Sequence, residues 1–326
     1  MVIFFKRNVG EVQNLDDVVS ILKMKNSTSI LSLALVLALF SCKTKPSAVS
    51  KLDSTNFIDA QSDKNGKPFF VGDSLTKAKE NWQLSFSDEF NDNKIDTKKW
   101  TVENTVKKRV DVTLYADDEQ IEEKDGNAYI YYRKSNKHDS AYFAGRFNSE
   151  GKFAPTYGYL ETRMHLVKPN GCQTAFWMMP NGKGNTAPNG VKDGTANDGA
   201  EIDIVEGNKM KDAYSSGLHW DGYAKPAHKS NGTMIKAPKL HTEEYHVFGF
   251  EWTPTFLKFY YDGNLVRTID KPSLIPHVAH YIYFSGSCFG QNDWVTGDVR
   301  KNDFIQQGNT DKAYIDYVRV YKNVSK

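Results

Sequence analysis

The chain of 326 residues predicts an all-β sandwich or barrel, on three observations. From about Asn81 to the C-terminus it breaks into short alternating stretches separated by turn residues. No stretch carries the period of a long amphipathic helix, and the last segments concentrate β-branched and aromatic residues, which suit a pleated surface.

Ser29–Ser41 (SILSLALVLALFS) is an apolar run with Lys25 before it and Cys42 directly after it. It is too short to cross a bilayer but fits the hydrophobic region of a secretory signal. Leu39-Phe40-Ser41-Cys42 resembles a bacterial lipoprotein processing box, which implies residues 1–41 as signal and Cys42 as the lipidated residue. Met24-Lys25-Asn26 reads as the natural start of that signal. Residues 42–78, rich in Lys, Ser, Asp, Asn and Pro, read as a tether. Residues 79–326 form the single folded domain, attached to a membrane only through the lipid and expected as a monomer on the outer membrane or cell surface. The remaining cysteines, Cys172 and Cys288, suit one disulfide or two buried thiols equally well.

Within the domain, Tyr157–Val167 puts Leu160, Thr162, Met164 and Leu166 on one face. Tyr159, Glu161, Arg163 and His165 fall on the other, as a half-buried strand requires. Phe256–Tyr261 followed by Asp262-Gly263-Asn264 predicts a hairpin. Ala313–Lys322 (AYIDYVRVYK) predicts a closing strand. Hydrophobic content of 39% and charged content of 25% are those of a globular protein. A net charge of +2 gives no reason to expect nucleic acid or an acidic membrane surface as partner.

Gly199–Asn208 (GAEIDIVEGN) carries the chemistry. On a regular strand Glu201 and Asp203 share a face, with Ile202 and Ile204 packed behind them. Glu206, five residues beyond Glu201, points the wrong way unless a β-bulge adds one residue. Three carboxylates on one surface repel one another, a load that a purely structural strand seldom carries. Calcium binding and a solvated acidic edge are the bland alternatives. The chemical reading is a glycosidase, in which one carboxylate attacks the anomeric carbon and another, held protonated, donates its proton to the leaving oxygen.

E-I-D-I-V-E resembles the catalytic signature of glycoside hydrolase family 16 in its bulged form. Leu84–Phe90, Asp96–Trp100, Ala144–Arg163, Tyr245–Gly263 and Ile315–Tyr321 resemble that family's other strands, in order. The resemblance implies a β-jelly roll of two curved antiparallel sheets and a retaining, endo-acting β-glycanase that needs no cofactor. By motif, Glu201 is the nucleophile, Glu206 the general acid/base and Asp203 the residue that tunes them. Trp177 matches a cleft aromatic. His219, Trp220 and Tyr223 are placed to flank the cleft, and His228 reads as a loop polar residue. Arg146 reads either as a cleft residue or as a buried partner of an acid. A structural calcium is implied at Glu89, the Gly126 carbonyl and Asp316, although these two acids could equally pair with Lys or Arg.

The sequence departs from β-1,3-glucan-cutting members where Gln173 and Thr174 replace a Trp-Pro, and Gly194–Gly199 lacks another. Gln173 is therefore a candidate subsite residue. A laminarin-like or mixed-linkage β-glucan is the first expected substrate; algal galactans such as agar, porphyran or carrageenan are the second. A non-catalytic glycan-binding protein is the other class, and it would have no need of an intact acidic triad.

Overall fold

The computed structural model describes residues 82–108, 111–136, 141–181, 192–207, 212–242, 245–290 and 297–324. The signal, the tether and Cys42 lie outside them.

Two antiparallel-dominated sheets face each other across the core. Eleven strands form the first sheet. They are β1 (Trp82–Asp88), β3 (Thr105–Lys108), β4 (Thr113–Ala116), β5 (Ile121–Lys124), β6 (Asn127–Lys134), β7 (Ala141–Ala144), β9 (Gly158–His165), β15 (His246–Trp252), β16 (Leu257–Tyr261), β17 (Asn264–Ile269) and β19 (Asp311–Asn323). The other eight form the second sheet: β2 (Thr101–Val102), β8 (Arg146–Asn148), β10 (Cys172–Pro180), β11 (Glu201–Gly207), β12 (Ala213–Trp220), β13 (Lys229–Ser230), β14 (Thr233–Lys236) and β18 (His280–Cys288). In that sheet the order β12-β11-β10-β18-β8 puts the acidic strand β11 near the middle. Among the described residues the only α-helix is one turn, Asp303–Gln306.

Alternation explains the core. Phe176 and Met178 on β10, Ile202 on β11, and Ile282 and Phe284 on β18 turn inward to meet Ile130, Leu160, Phe248 and Ile315 of the other sheet. Fully burying side chains of this size is worth roughly 1.5–3 kcal/mol each. Asp262 and Gly263 take positive φ of 47° and 77° and close the β16–β17 hairpin, a geometry that Asp-Gly supplies at low cost.

One expectation is corrected. β9 is buried on both faces, not one: Tyr159, Glu161 and His165 are as sequestered as Leu160 and Met164. The cause is position, since β9 lies inside its sheet between β15 and β19. Its outer face is covered by an aromatic group of Trp82, Tyr159, Tyr260 and Tyr321, and Glu161 accepts from the hydroxyls of Tyr159 and Tyr317. Cys172 and Cys288 are both free and buried, directly opposed on β10 and β18.

Candidate active site

The acidic strand is bulged. Against β12, Asp203 faces Gly217 and Glu206 faces Ser215, so Ile204 and Val205 together oppose the single residue Ser216. Both bulged residues turn into the core. That extra inward residue returns Glu206 to the outer face beside Glu201 and Asp203, as the bulge reading of the sequence requires.

The three acids lie in different environments. Tyr223, from the segment after β12, donates its hydroxyl to Glu201 Oε2 in a short hydrogen bond. Burial raises the Glu201 pKa, with the Tyr223 bond and the charges of Lys107 and Arg146 opposing it. Asp203 is 3% exposed and its Oδ2 has no hydrogen-bond partner. Burial, then repulsion from Glu206 and Glu201, pushes its pKa far up, against a pull from Arg267. Gly217 makes room for it: a Cβ there would come within 2.9 Å of Asp203 Oδ2.

His219 faces Glu201 across the β11–β12 ladder, with Nε2 3.6 Å from Asp203 Oδ2. Its Nδ1 shares a 3.0 Å hydrogen bond with His228 Nε2, and the two rings stack. Burial and the neighbouring His228 lower the His219 pKa. One atom each from Glu201, Asp203 and His219 lie within 4.8 Å of one another. An imidazole in that trio is the wrong donor for calcium, which takes oxygens.

Flanking strands build the walls. On β10, Gln173, Ala175, Trp177 and Met179 alternate onto the outer face, with Ala175 opposite Glu206 and Trp177 opposite Asp203. Trp177 donates to Ser285 Oγ at 3.0 Å and stacks on Tyr283, with centroids 4.2 Å apart. Thr174 turns inward and accepts the Val167 amide. Arg146 on β8 faces Ser285, lies over the Tyr283 ring and sits 3.7 Å from Glu103, as its reading as a buried partner of an acid has it.

Two assignments are corrected. Trp220 faces the core with Leu218, because it is one residue out of phase with His219. The proposed calcium set does not fit calcium. Arg319 grips Glu89 through two bonds of 2.8 and 2.9 Å, and Arg163 holds Asp316 at 2.6 Å, so guanidinium groups occupy both carboxylates. Gly126 serves the β5–β6 turn with φ of 72°.

Tyr281 and Tyr283 on β18 were missed. They join Met179 and Trp177 in a small cluster outside the main core. The alternation Tyr281-Ile282-Tyr283-Phe284 carried the signal. His228 lies in the loop before β13, as read, and from there it partners His219.

A two-sheet β fold whose outer face lines up three carboxylates beside stacked aromatics defines a glycoside hydrolase of the jelly-roll class. The chain belongs to glycoside hydrolase family 16: residues 82–323 match the family described as "Beta-porphyranase A-D, GH16 domain". Among curated relatives, it is 24% identical to "Glucan endo-1,3-beta-glucosidase A1" of Niallia circulans, over 73% of this chain and 38% of that one. It is 28% identical to "Keratan-sulfate endo-1,4-beta-galactosidase" of Sphingobacterium multivorum, over 75% of this chain and 55% of that one. The chain thus spans about half, or less, of the length of these two relatives. Among solved structures, the laminarinase catalytic domain of Thermotoga maritima MSB8 superposes with a TM-score of 0.61 at 27% identity, covering 75% of this chain and all of that one.

Proposed function

We propose that the protein is a retaining endo-β-glycanase, with Glu201 as nucleophile, Glu206 as general acid/base and Asp203 between them. The observation that carries this reading is the bulge that sets all three carboxylates on one face. Glu201 attacks the anomeric carbon as Glu206 protonates the departing glycosidic oxygen, giving a glycosyl ester. Water, deprotonated by Glu206, then hydrolyses that ester. Tyr223 orients Glu201 through its hydrogen bond. Burial and the neighbouring carboxylates push Asp203 toward its protonated form, which lessens the repulsion that Glu201 meets when it ionises. Trp177, backed by the buried ring of Tyr283, offers a flat face to the C–H groups of a sugar, and Gln173, Arg146 and His219 offer polar contacts. A lipid on Cys42 would tether the enzyme to the cell envelope, where long polysaccharides are met.

A β-1,3- or mixed-linkage glucan is the first substrate reading, supported by the likeness to the Niallia and Thermotoga proteins. A galactan is the second. It is favoured by the porphyranase description of the matching family, by the galactosidase relative, and by Gln173 and Thr174 standing in place of a Trp-Pro. Reducing-sugar release from laminarin, mixed-linkage glucan, agarose, porphyran and carrageenan separates them. Release from a glucan alone supports the first reading, and release from a galactan alone the second. A panel with no release, together with retention on glycan columns, would overturn the enzyme reading in favour of a binding protein.

A further inference from the structure

One side chain joins the edge of the eleven-stranded sheet to the back of the acidic strand. Arg267 leaves β17 just beyond an irregularity in its pairing with β16: Phe259 faces Arg267 while Tyr260 faces Leu265, so Val266 is the extra residue. The guanidinium lies over the Phe259 ring and reaches the second sheet. Its Nη1 donates to Ser216 Oγ at 2.9 Å, and its Nη2 donates to Asn231 O at 2.8 Å and Asn231 Oδ1 at 2.6 Å. Ser216 in turn donates to the backbone carbonyl of Asp203 at 3.0 Å.

The place of Ser216 gives this chain of bonds its meaning. It is the single β12 residue opposite bulged Ile204 and Val205, and it is 1% exposed. A bulge disrupts the ladder and leaves backbone groups in need of other partners. The Ser216 hydroxyl spends its proton on the Asp203 carbonyl and its lone pair on Arg267. Asn231 is itself paired through its backbone with Leu218 on the same strand as Ser216, so the guanidinium is anchored on the Asn231 carbonyl and on its side-chain amide as well as on Ser216. A planar fork can make these bonds together; an ammonium cannot.

We propose that Arg267, acting through Ser216, is a positioning residue that holds the β11 bulge in the register that brings Glu206 onto the face of Glu201. The proposal rests on the retaining-glycanase reading. Arg267 touches neither substrate nor reacting carboxylate, and its effect passes through the Asp203 carbonyl. Its charge also lies behind Asp203, which otherwise faces Glu201 and Glu206 on its own strand and His219 on β12.

The test uses the full chain with Ser216→Ala, Arg267→Lys and Arg267→Met, each first checked for folding by circular dichroism. Two substrates are compared: the polysaccharide the wild type cuts, and an aryl glycoside of the same sugar whose dinitrophenolate departs without protonation. On the polysaccharide, Ser216→Ala and Arg267→Met are expected to lose about 10- to 100-fold in kcat, with little change in KM, because misplacement of a catalytic group by an ångström has that scale. On the first, bond-cleaving step of the aryl substrate, read as the burst of dinitrophenolate, the loss is much smaller, because the proton of Glu206 is not needed there. Arg267→Lys falls between. In Arg267→Met the kcat/KM pH profile moves to higher pH, because a positive charge behind Asp203 is gone.

Wild-type kcat and pH profile in folded Ser216→Ala and Arg267→Met would overturn the proposal, as would equal losses on the two substrates. If Arg267→Met does not fold, Ser216→Ala decides. A wild type inactive on every polysaccharide defeats the functional reading instead. Amide hydrogen exchange at residues 204–206 then tests the brace alone: faster exchange in Ser216→Ala supports it and unchanged exchange refutes it.

Discussion

On the eleven-stranded sheet, buried acids meet donors. Glu89 takes both arms of Arg319, Asp316 takes Arg163, and Glu161 takes the hydroxyls of Tyr159 and Tyr317. On the eight-stranded sheet the acids of β11 are set against one another. Asp203 has an oxygen with no hydrogen-bond partner, and Glu201 and Asp203 are both pushed toward their protonated forms. The same residue type thus serves two ends. Where a carboxylate is matched to a guanidinium or a phenol, the pairing fixes the sheet and leaves nothing to react. Where carboxylates are crowded in a half-buried row, their protonation becomes adjustable, which acid–base chemistry needs and stability does not.

The comparison breaks first at Glu201. Glu201→Gln should lose activity by on the order of 10⁴-fold or more, as removal of a nucleophile does, with folding intact. Circular dichroism and reducing-sugar release on the same sample check this. Activity near that of the wild type would remove Glu201 from its role and leave β11 as an acidic surface.

Glu89 is the counterpart on the other sheet. Glu89→Ala leaves Arg319, 2% exposed, as a buried charge without its bidentate partner. Breaking such a pair costs about 3 kcal/mol, readable as a lower denaturant midpoint at constant slope. The kcat should not move, because Glu89 follows β1 and is paired with Arg319 on β19, in the sheet that does not carry the acidic strand. Chelator should leave the melting temperature of the wild type unchanged, since guanidinium groups already fill the carboxylates to which calcium had been assigned. A chelator-induced fall in melting temperature would reverse that correction.

The legible parts of this molecule were those in which local pattern and final environment agree. GAEIDIVEGN announces its own bulge, because Ile204 and Val205 cannot both be buried on a regular strand while Glu206 stays with Glu201. Asp262-Gly263 names its turn for a similar reason. Alternation would also have turned Trp220 inward had its phase been carried from His219. What the sequence hides is long range. Nothing near Glu89 or Asp316 in sequence tells that Arg319 and Arg163 claim them. In the same way, Arg267 lies 51 positions from Ser216 along the chain, and only the packing of two sheets brings them together. The burial of both faces of β9 is of the same kind: the second face is covered by strands that are remote in sequence.

The finest test of the contrast is the pH dependence of stability. A carboxylate whose folded pKa is raised holds its proton in the native state while the unfolded chain, with an Asp pKa of about 3.9, has released it. Over the interval between the two values the native state binds more protons, so stability falls as pH rises. Asp203 and Glu201 both act in this direction, and below the unfolded value neither contributes. Asp203→Asn removes one of the two contributions while keeping nearly the same volume. The melting temperature of the variant should therefore match that of the wild type near pH 3 and gain on it as the pH rises above the unfolded value, even as its activity declines. A gap that stays constant with pH would mean that Asp203 titrates in the folded protein as it does in the unfolded chain. The opposition drawn between the two sheets would then fail at its central residue.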